Sequence, residues 1–184
     1  MDDQVTLRPF GERDLPFLER LSSDPEVTGR YVWAGFRDPG VRRRRWEKDS
    51  YIGTDNTALA VVGDDPAAGK DTVLGIASFW ANDRGGPPGG CYEIGVALLP
   101  EFRGRGFGVA AHQVLVRHLF ECTLAHRLEA QTDIDNVAEQ VALERAGFRR
   151  EGVLREARFR EGAWRDMLAY GLLRGDARHA GSAG

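Results

Sequence analysis

Residues 91–120 read as a strand, a glycine turn and a helix in immediate succession, and few folds accommodate that order. Cys91–Leu98 alternates, with Tyr92, Ile94, Val96 and Leu98 on an apolar face and Cys91, Glu93, Gly95 and Ala97 opposite. Pro100 ends the strand. Arg103-Gly104-Arg105-Gly106-Phe107-Gly108 then turns the chain into Val109–Phe120, where Ala111, Leu115, His118 and Cys122 recur near helical spacing beside Val114 and Leu119. The orphan amides of a helix start carry partial positive charge, and glycines let backbone approach a ligand without Cβ clashes. With Arg103 and Arg105 adding charge, the segment reads as an anion site of the diphosphate-binding kind.

The flanking sequence supplies the rest of a sheet. Val5–Arg8 is a short strand stopped by Pro9, and Asp14 is placed to cap a helix over Leu15–Leu21. The stretch from Ser23-Asp24-Pro25 to Arg37-Asp38-Pro39-Gly40 is loop-like, and its aromatics Tyr31, Trp33 and Phe36 suggest a surface that covers an acceptor. Arg42–Asp49 is helical; its four successive arginines point round more than half the helix, as a solvated basic face does, with recognition of an acidic acceptor or phosphate as the alternative. Ala58–Val62 and Val73–Trp80 form an antiparallel hairpin with a long turn, and Arg84–Gly90 is loop. Arg127–Thr132 is a strand, and Asn136–Ala146 a helix ended by Gly147, with Phe148 folding back apolar surface. Two strands near Arg149–Arg158 and Trp164–Leu173 meet at Glu161-Gly162. The order is β-α-α-β-β-β-α-β-α-β-β. This is an α/β chain of the α+β kind, a mixed and mostly antiparallel sheet flanked by helices. Residues 1–174 suffice for one domain, with 175–184 a frayed tail.

Composition narrows the function. A net charge of -3 in 184 residues argues against a dedicated nucleic-acid binder. Two cysteines without CxxC spacing, Cys91 and Cys122, read as reduced thiols and suit a cytoplasmic protein; no leader-like or membrane-length apolar window occurs. His112, His118 and His126 lack ligand spacing, so no metal is expected and structural roles are assigned to them. A Rossmann site, with Glu129 as the ribose acid, fails on spacing: Gly104, Gly106 and Gly108 form G-x-G-x-G with Val109 in the sixth place.

Arg103-x-x-Gly106-x-Gly108 resembles the acetyl-CoA signature of the GNAT superfamily. The likeness runs from Val5 to Arg174. It includes Glu93-Ile94-Gly95 before Leu98-Leu99-Pro100-Glu101-Phe102-Arg103-Gly104, then Asn136 ahead of Gly147-Phe148. Glu151-Gly152-Val153-Leu154-Arg155 and Trp164-Arg165-Asp166 complete it. This pattern is similar to the RimJ/RimL branch, which acetylates ribosomal-protein N-termini. The resemblance implies the GNAT fold, acetyl-CoA as cofactor, and direct acetyl transfer to a primary amine in a ternary complex. It also implies that Arg103 to Gly108 (Arg103, Gly104, Arg105, Gly106, Phe107 and Gly108) hold the diphosphate, with Asn136 on the coenzyme. The backbone amides of Val96, Ala97 and Leu98 would hold the pantetheine and polarise the thioester.

Acyl transfer to an amine needs a neutral nucleophile, a stabilised oxyanion and a proton for the leaving thiolate. Glu93, beside the small residues Gly95 and Ala97, is the candidate base, with an ordinary exposed carboxylate as the plain alternative. Relatives carry a serine where this chain has Glu139. Glu139 can act as an acid if burial raises it, bind a cationic acceptor, or face water, the last being favoured. Tyr170 is the other proton-donor candidate, with a packed core role preferred. Trp164 joins Tyr31, Trp33 and Phe36 as an acceptor-side aromatic. The acceptor is a protein or peptide N-terminus, or alternatively a small-molecule amine such as an antibiotic or polyamine. A non-catalytic acyl-CoA sensor is the third reading, and the pattern leaves room for a homodimer.

Overall fold

The computed structural model describes residues 5–32, 35, 38, 40–54 and 56–180. Its strands are β1 (Thr6–Arg8), β2 (Asn56–Asp65), β3 (Gly69–Ala81), β4 (Cys91–Leu98), β5 (Arg127–Asp133), β6 (Arg149–Arg160) and β7 (Ala163–Leu173). Its helices are α1 (Leu15–Ser23), α2 (Pro25–Thr28), α3 (Gly40–Asp49), α4 (Phe107–Cys122), α5 (Val137–Arg145) and α6 (Arg174–Ala180). The strands form one mixed sheet in the order β1-β2-β3-β4-β5-β7-β6. β1 pairs antiparallel with β2, and β7 pairs antiparallel with both β5 and β6. β4 and β5 run parallel, because α4 lies between them in the chain and crossover connections return the chain in the same direction.

Two compact units make up the chain, one of residues up to Ser78 with Val96–Ala111, the other of Phe79–Gly95 with His112 onward. In the first, β2 is buried without a break from Thr57 to Val62, the mark of a strand covered on both faces. Leu15 and Leu18 of α1, Tyr51, and Leu74 of β3 share this core. In the second, Leu115 and Leu119 of α4 and Leu143 of α5 are buried with Leu128, Met167, Leu168 and Leu172 of the sheet. Each such side chain contributes about 1.5–3 kcal/mol.

Several local expectations change in the structure. Asp14 precedes α1 but does not cap it. Its carboxylate accepts from Arg8 Nη1 at 2.6 Å and from the Gly11 amide at 2.8 Å, and an ionised partner outcompetes a helix amide. The stretch after Ser23 is not all loop: Asp24 Oδ1 accepts from Glu26 and Val27 amides, and Pro25 starts α2. The hairpin turn is short, because Asp65 Oδ1 accepts from the Ala67 and Ala68 amides, both at 2.9 Å, and β2 and β3 extend to meet it. The four arginines of α3 are not simply solvated. Arg42 donates to Ser22, Arg43 to Glu19, Arg44 to Asp38, and Arg45 to the Asn56 carbonyl.

Of the stretch expected to fray, the described residues, up to Ala180, carry α6. Arg174 anchors it, donating to the carbonyls of Ala125 at 2.7 Å, Thr123 at 2.8 Å and Phe120, with its guanidinium 5.2 Å from the Phe120 ring centre. Gly147 closes α5 at φ +97° as expected, and Phe148 behind it is buried.

Candidate functional site

The glycine turn lies in the first unit. α4 starts at Phe107, two residues earlier than periodicity indicates, and its first internal hydrogen bond runs from the Ala110 amide to the Gly106 carbonyl at 3.2 Å. The amides just ahead of Ala110 therefore lie outside the helix's own ladder. Gly104 and Gly106 hold φ of +70° and +88°, and a Cβ built at either meets nothing within 4 Å. These glycines are demanded by backbone conformation, and open space faces the turn.

Neither arginine simply adds free charge to the turn. Arg103 donates from Nε to the Leu98 carbonyl at 2.9 Å and from Nη2 to the Val27 carbonyl at 2.7 Å, tying the end of β4 to α2. Burial draws the pKa of its guanidinium down. Arg105 Nη2 lies 2.7 Å from Asp65 Oδ2, and its guanidinium stands 5.1 Å from the Phe107 ring centre and 5.9 Å from that of Phe102. Phe107 itself is buried, so only its backbone is available at the turn. Val96, Ala97 and Leu98 are half-buried, and Gly75 of β3 packs so closely on this end of β4 that a Cβ there would overlap the Ala97 carbonyl.

Glu93 lies in the second unit. The parallel β4–β5 ladder covers only Cys91–Glu93 against Arg127–Glu129, whereas β5 stays paired with β7 as far as Asp133. Glu93 thus stands at the end of the ladder, in register with Glu129. Burial first, then the charge of Glu129, raises the pKa of Glu93; Arg158 and Arg84 act in the other direction. Glu129 behaves oppositely. Burial pushes it up, but hydrogen bonds from Arg84 (2.8 Å) and Arg127 (2.6 Å) outweigh this and hold it below the ordinary range, with Asn82 donating at 2.7 Å. Two carboxylates side by side are therefore driven apart in basicity by their environments.

Asn136 is the N-cap of α5, its Oδ1 accepting from the Glu139 amide at 3.4 Å. Glu139 does not merely face water: its Oε1 lies 3.1 Å from Nε2 of His112, a fully buried histidine on α4. Tyr170 is buried on β7 and donates to Glu144 at 3.2 Å; burial, then Glu144, raises its pKa. Trp164 meets Phe159 edge-on at 5.6 Å, and the two rings are 60% and 61% exposed. The Arg30 guanidinium lies 5.4 Å from the ring of half-buried Tyr31, while Trp33 and Phe36 fall outside the described residues. A cavity of about 620 Å³ opens in the second unit beside Arg84, Pro87, Cys91, Leu124 and His126, and none of the candidate residues lines it.

Sequence reasoning missed three residues that shape these sites. Asp65, Glu129 and His112 each act on a candidate, Arg105, Glu93 and Glu139 respectively. In the sequence Glu129 and His112 stand out only in other roles, as a rejected ribose acid and a structural histidine, and Asp65 only as part of a turn.

Comparison with known proteins bears on the same residues. A family described as an acetyltransferase (GNAT) domain matches residues 4–149, a span that takes in the glycine turn, Glu93 and Glu139. No curated protein matches the sequence. Among solved structures, the chain is similar to a GNAT-family acetyltransferase from Bacillus anthracis, at 22% identity over 95% of this chain and 98% of that one, with a TM-score of 0.74. It is similar to a spermidine N-acetyltransferase from Vibrio cholerae in complex with CoA and spermine, at 19% identity over 95% and 98%, with a TM-score of 0.79. It is also similar to RimL, a ribosomal L7/L12 alpha-N-protein acetyltransferase in complex with coenzyme A, at 19% identity over 95% and 96%, with a TM-score of 0.77. With the family match covering most of its length, the chain belongs to the GNAT acetyltransferases and is an N-acetyltransferase that uses acetyl-CoA.

Proposed function

We propose that this enzyme acetylates the N-terminal amine of a protein or peptide by direct transfer in a ternary complex, with Glu93 as general base. The observation that carries the reading is the end of the β4–β5 ladder at Glu93, a carboxylate whose basicity its surroundings raise. Amines are protonated at neutral pH, and a carboxylate with a raised pKa is better matched to taking that proton, directly or through one water. Arg84 and Arg127 keep Glu129 ionised beside it and so sustain the effect.

The residues present fit the coenzyme. The turn from Arg103 to Gly108 offers helix-start amides, two left-handed glycines and open space, which suit a diphosphate approached by bare backbone. We assign Gly104, Gly106 and Gly108 to that contact, with Arg103 bracing the turn through Leu98 and Val27. Val96, Ala97 and Leu98, beyond the part of β4 that pairs with β5, are assigned to the pantetheine arm and the developing oxyanion; such donors contribute about 3–4 kcal/mol in well-studied cases. Bound acetyl-CoA supplies an activated acetyl thioester. For Tyr170, burial and the bond to Glu144 favour a packing role.

An open acceptor surface supports the peptide reading. Trp164 and Phe159 are exposed on the β6–β7 hairpin, where an extended chain can lie across them, whereas a small amine calls for an enclosed pocket. Likeness to the spermidine enzyme makes a polyamine the competing acceptor. Thiol release from acetyl-CoA, measured with a panel of short peptides and polyamines, decides between them. Peptide N-termini are expected to give the highest kcat/KM; turnover confined to polyamines overturns the peptide assignment.

A further inference from the structure

We propose that Asp65 is a positioning residue of the coenzyme site: through its ion pair with Arg105 it holds the glycine turn in the form that receives the diphosphate. This rests on the coenzyme reading above.

Gly104 and Gly106 flank Arg105, and both sit in the left-handed region with nothing near their Cβ positions. A segment built this way has many backbone states of similar energy, and ordering it on binding costs affinity. Arg105 is the one side chain between them, and it is held on three sides. Its Nη2 is 2.7 Å from Asp65 Oδ2, and the rings of Phe107 and Phe102, both buried, stand beside the guanidinium.

Asp65 is itself fixed. Its Oδ1 accepts from the Ala67 and Ala68 amides, both at 2.9 Å, and its side chain is only 4% exposed. The short β2–β3 turn thus presents an anion at one defined place, met by Arg105 and two amides. An ion pair with a fixed partner selects one conformation of the turn before ligand arrives. The opposite arrangement, in which Asp65 withholds Arg105 from the phosphates, would reverse the effect of removing its charge.

Asp65→Asn keeps an acceptor for the two amides and deletes the ion pair. By calorimetry, we expect this variant to bind CoA about tenfold more weakly than the wild type, the loss of a pre-ordered site. Arg105→Ala and the double variant should bind alike, since Asp65 acts through Arg105. In ligand-free protein, trypsin should cut after Arg105 several-fold faster in Asp65→Asn, with unchanged cleavage after Arg20. Equal or tighter CoA binding by Asp65→Asn, or losses that add in the double variant, overturns the proposal. Absence of heat from the wild type would overturn the coenzyme reading and this role with it, while the trypsin comparison would still report whether the pair orders the turn.

Discussion

Glu93 and Glu129 are neighbours across a parallel ladder, yet one is pushed up and the other held down. The consequence for activity has a definite sign. A base must be unprotonated, so kcat/KM should rise with pH through the elevated pKa of Glu93. Glu93→Gln should lower kcat by about 10²- to 10⁴-fold, flatten that limb of the pH profile and leave CoA affinity intact. A variant with wild-type turnover removes Glu93 from the mechanism. Stability follows the same shift in the opposite sense. The folded-state pKa lies above the unfolded one, so what Glu93 contributes below the unfolded pKa is lost as pH rises through the folded value. Glu93→Gln, neutral throughout, should therefore melt above the wild type at neutral pH and level with it near about pH 4. The alternation of Cys91–Leu98 made Glu93 legible as a candidate. Its tuning was not, because Glu129 is separated from it by all of α4, and nothing in the local pattern states which strands pair in parallel.

At the scale of elements, the strand, turn and helix were readable because each rests on local chemistry: alternation, Pro100, then glycine. The turn's conformation bears a direct test. Gly106→Ala places a Cβ on a left-handed backbone, which costs about 1–2 kcal/mol, and projects a methyl into the open space facing the amides. CoA binding measured by calorimetry should fall more than that strain alone explains, with secondary structure by circular dichroism unchanged; unaltered affinity would place the diphosphate elsewhere. The boundaries that were misjudged turn on where an aspartate places its hydrogen bonds. Asp14 is taken by Arg8 instead of α1, and the ends of β2 and β3 are set by Asp65. Glu139, assigned to solvent from the sequence, meets His112 because α4 and α5 place them together.

For the whole molecule, the elements follow the expected order along the chain, with helices α2 and α6 added among the described residues. A coenzyme that binds only the folded form stabilises it by mass action, about 2.7 kcal/mol at a hundredfold excess over Kd. Thermal melts with saturating CoA should accordingly rise by several degrees, and ATP, which shares the diphosphate but lacks the pantetheine arm, should raise them less. An equal rise with both would assign the recognition to the adenine nucleotide portion they share. The buried Arg160–Asp133 pair is a feature the sequence did not advertise, and like Asp65 it joins positions distant in the chain. Arg174 shows the same economy within the second unit. One guanidinium, at the start of α6, collects the carbonyls left over where α4 gives way to β5, so the junction that leads into β5 is fastened by a residue far along the chain. That corner therefore locks only once Arg174, beyond β7, has been made.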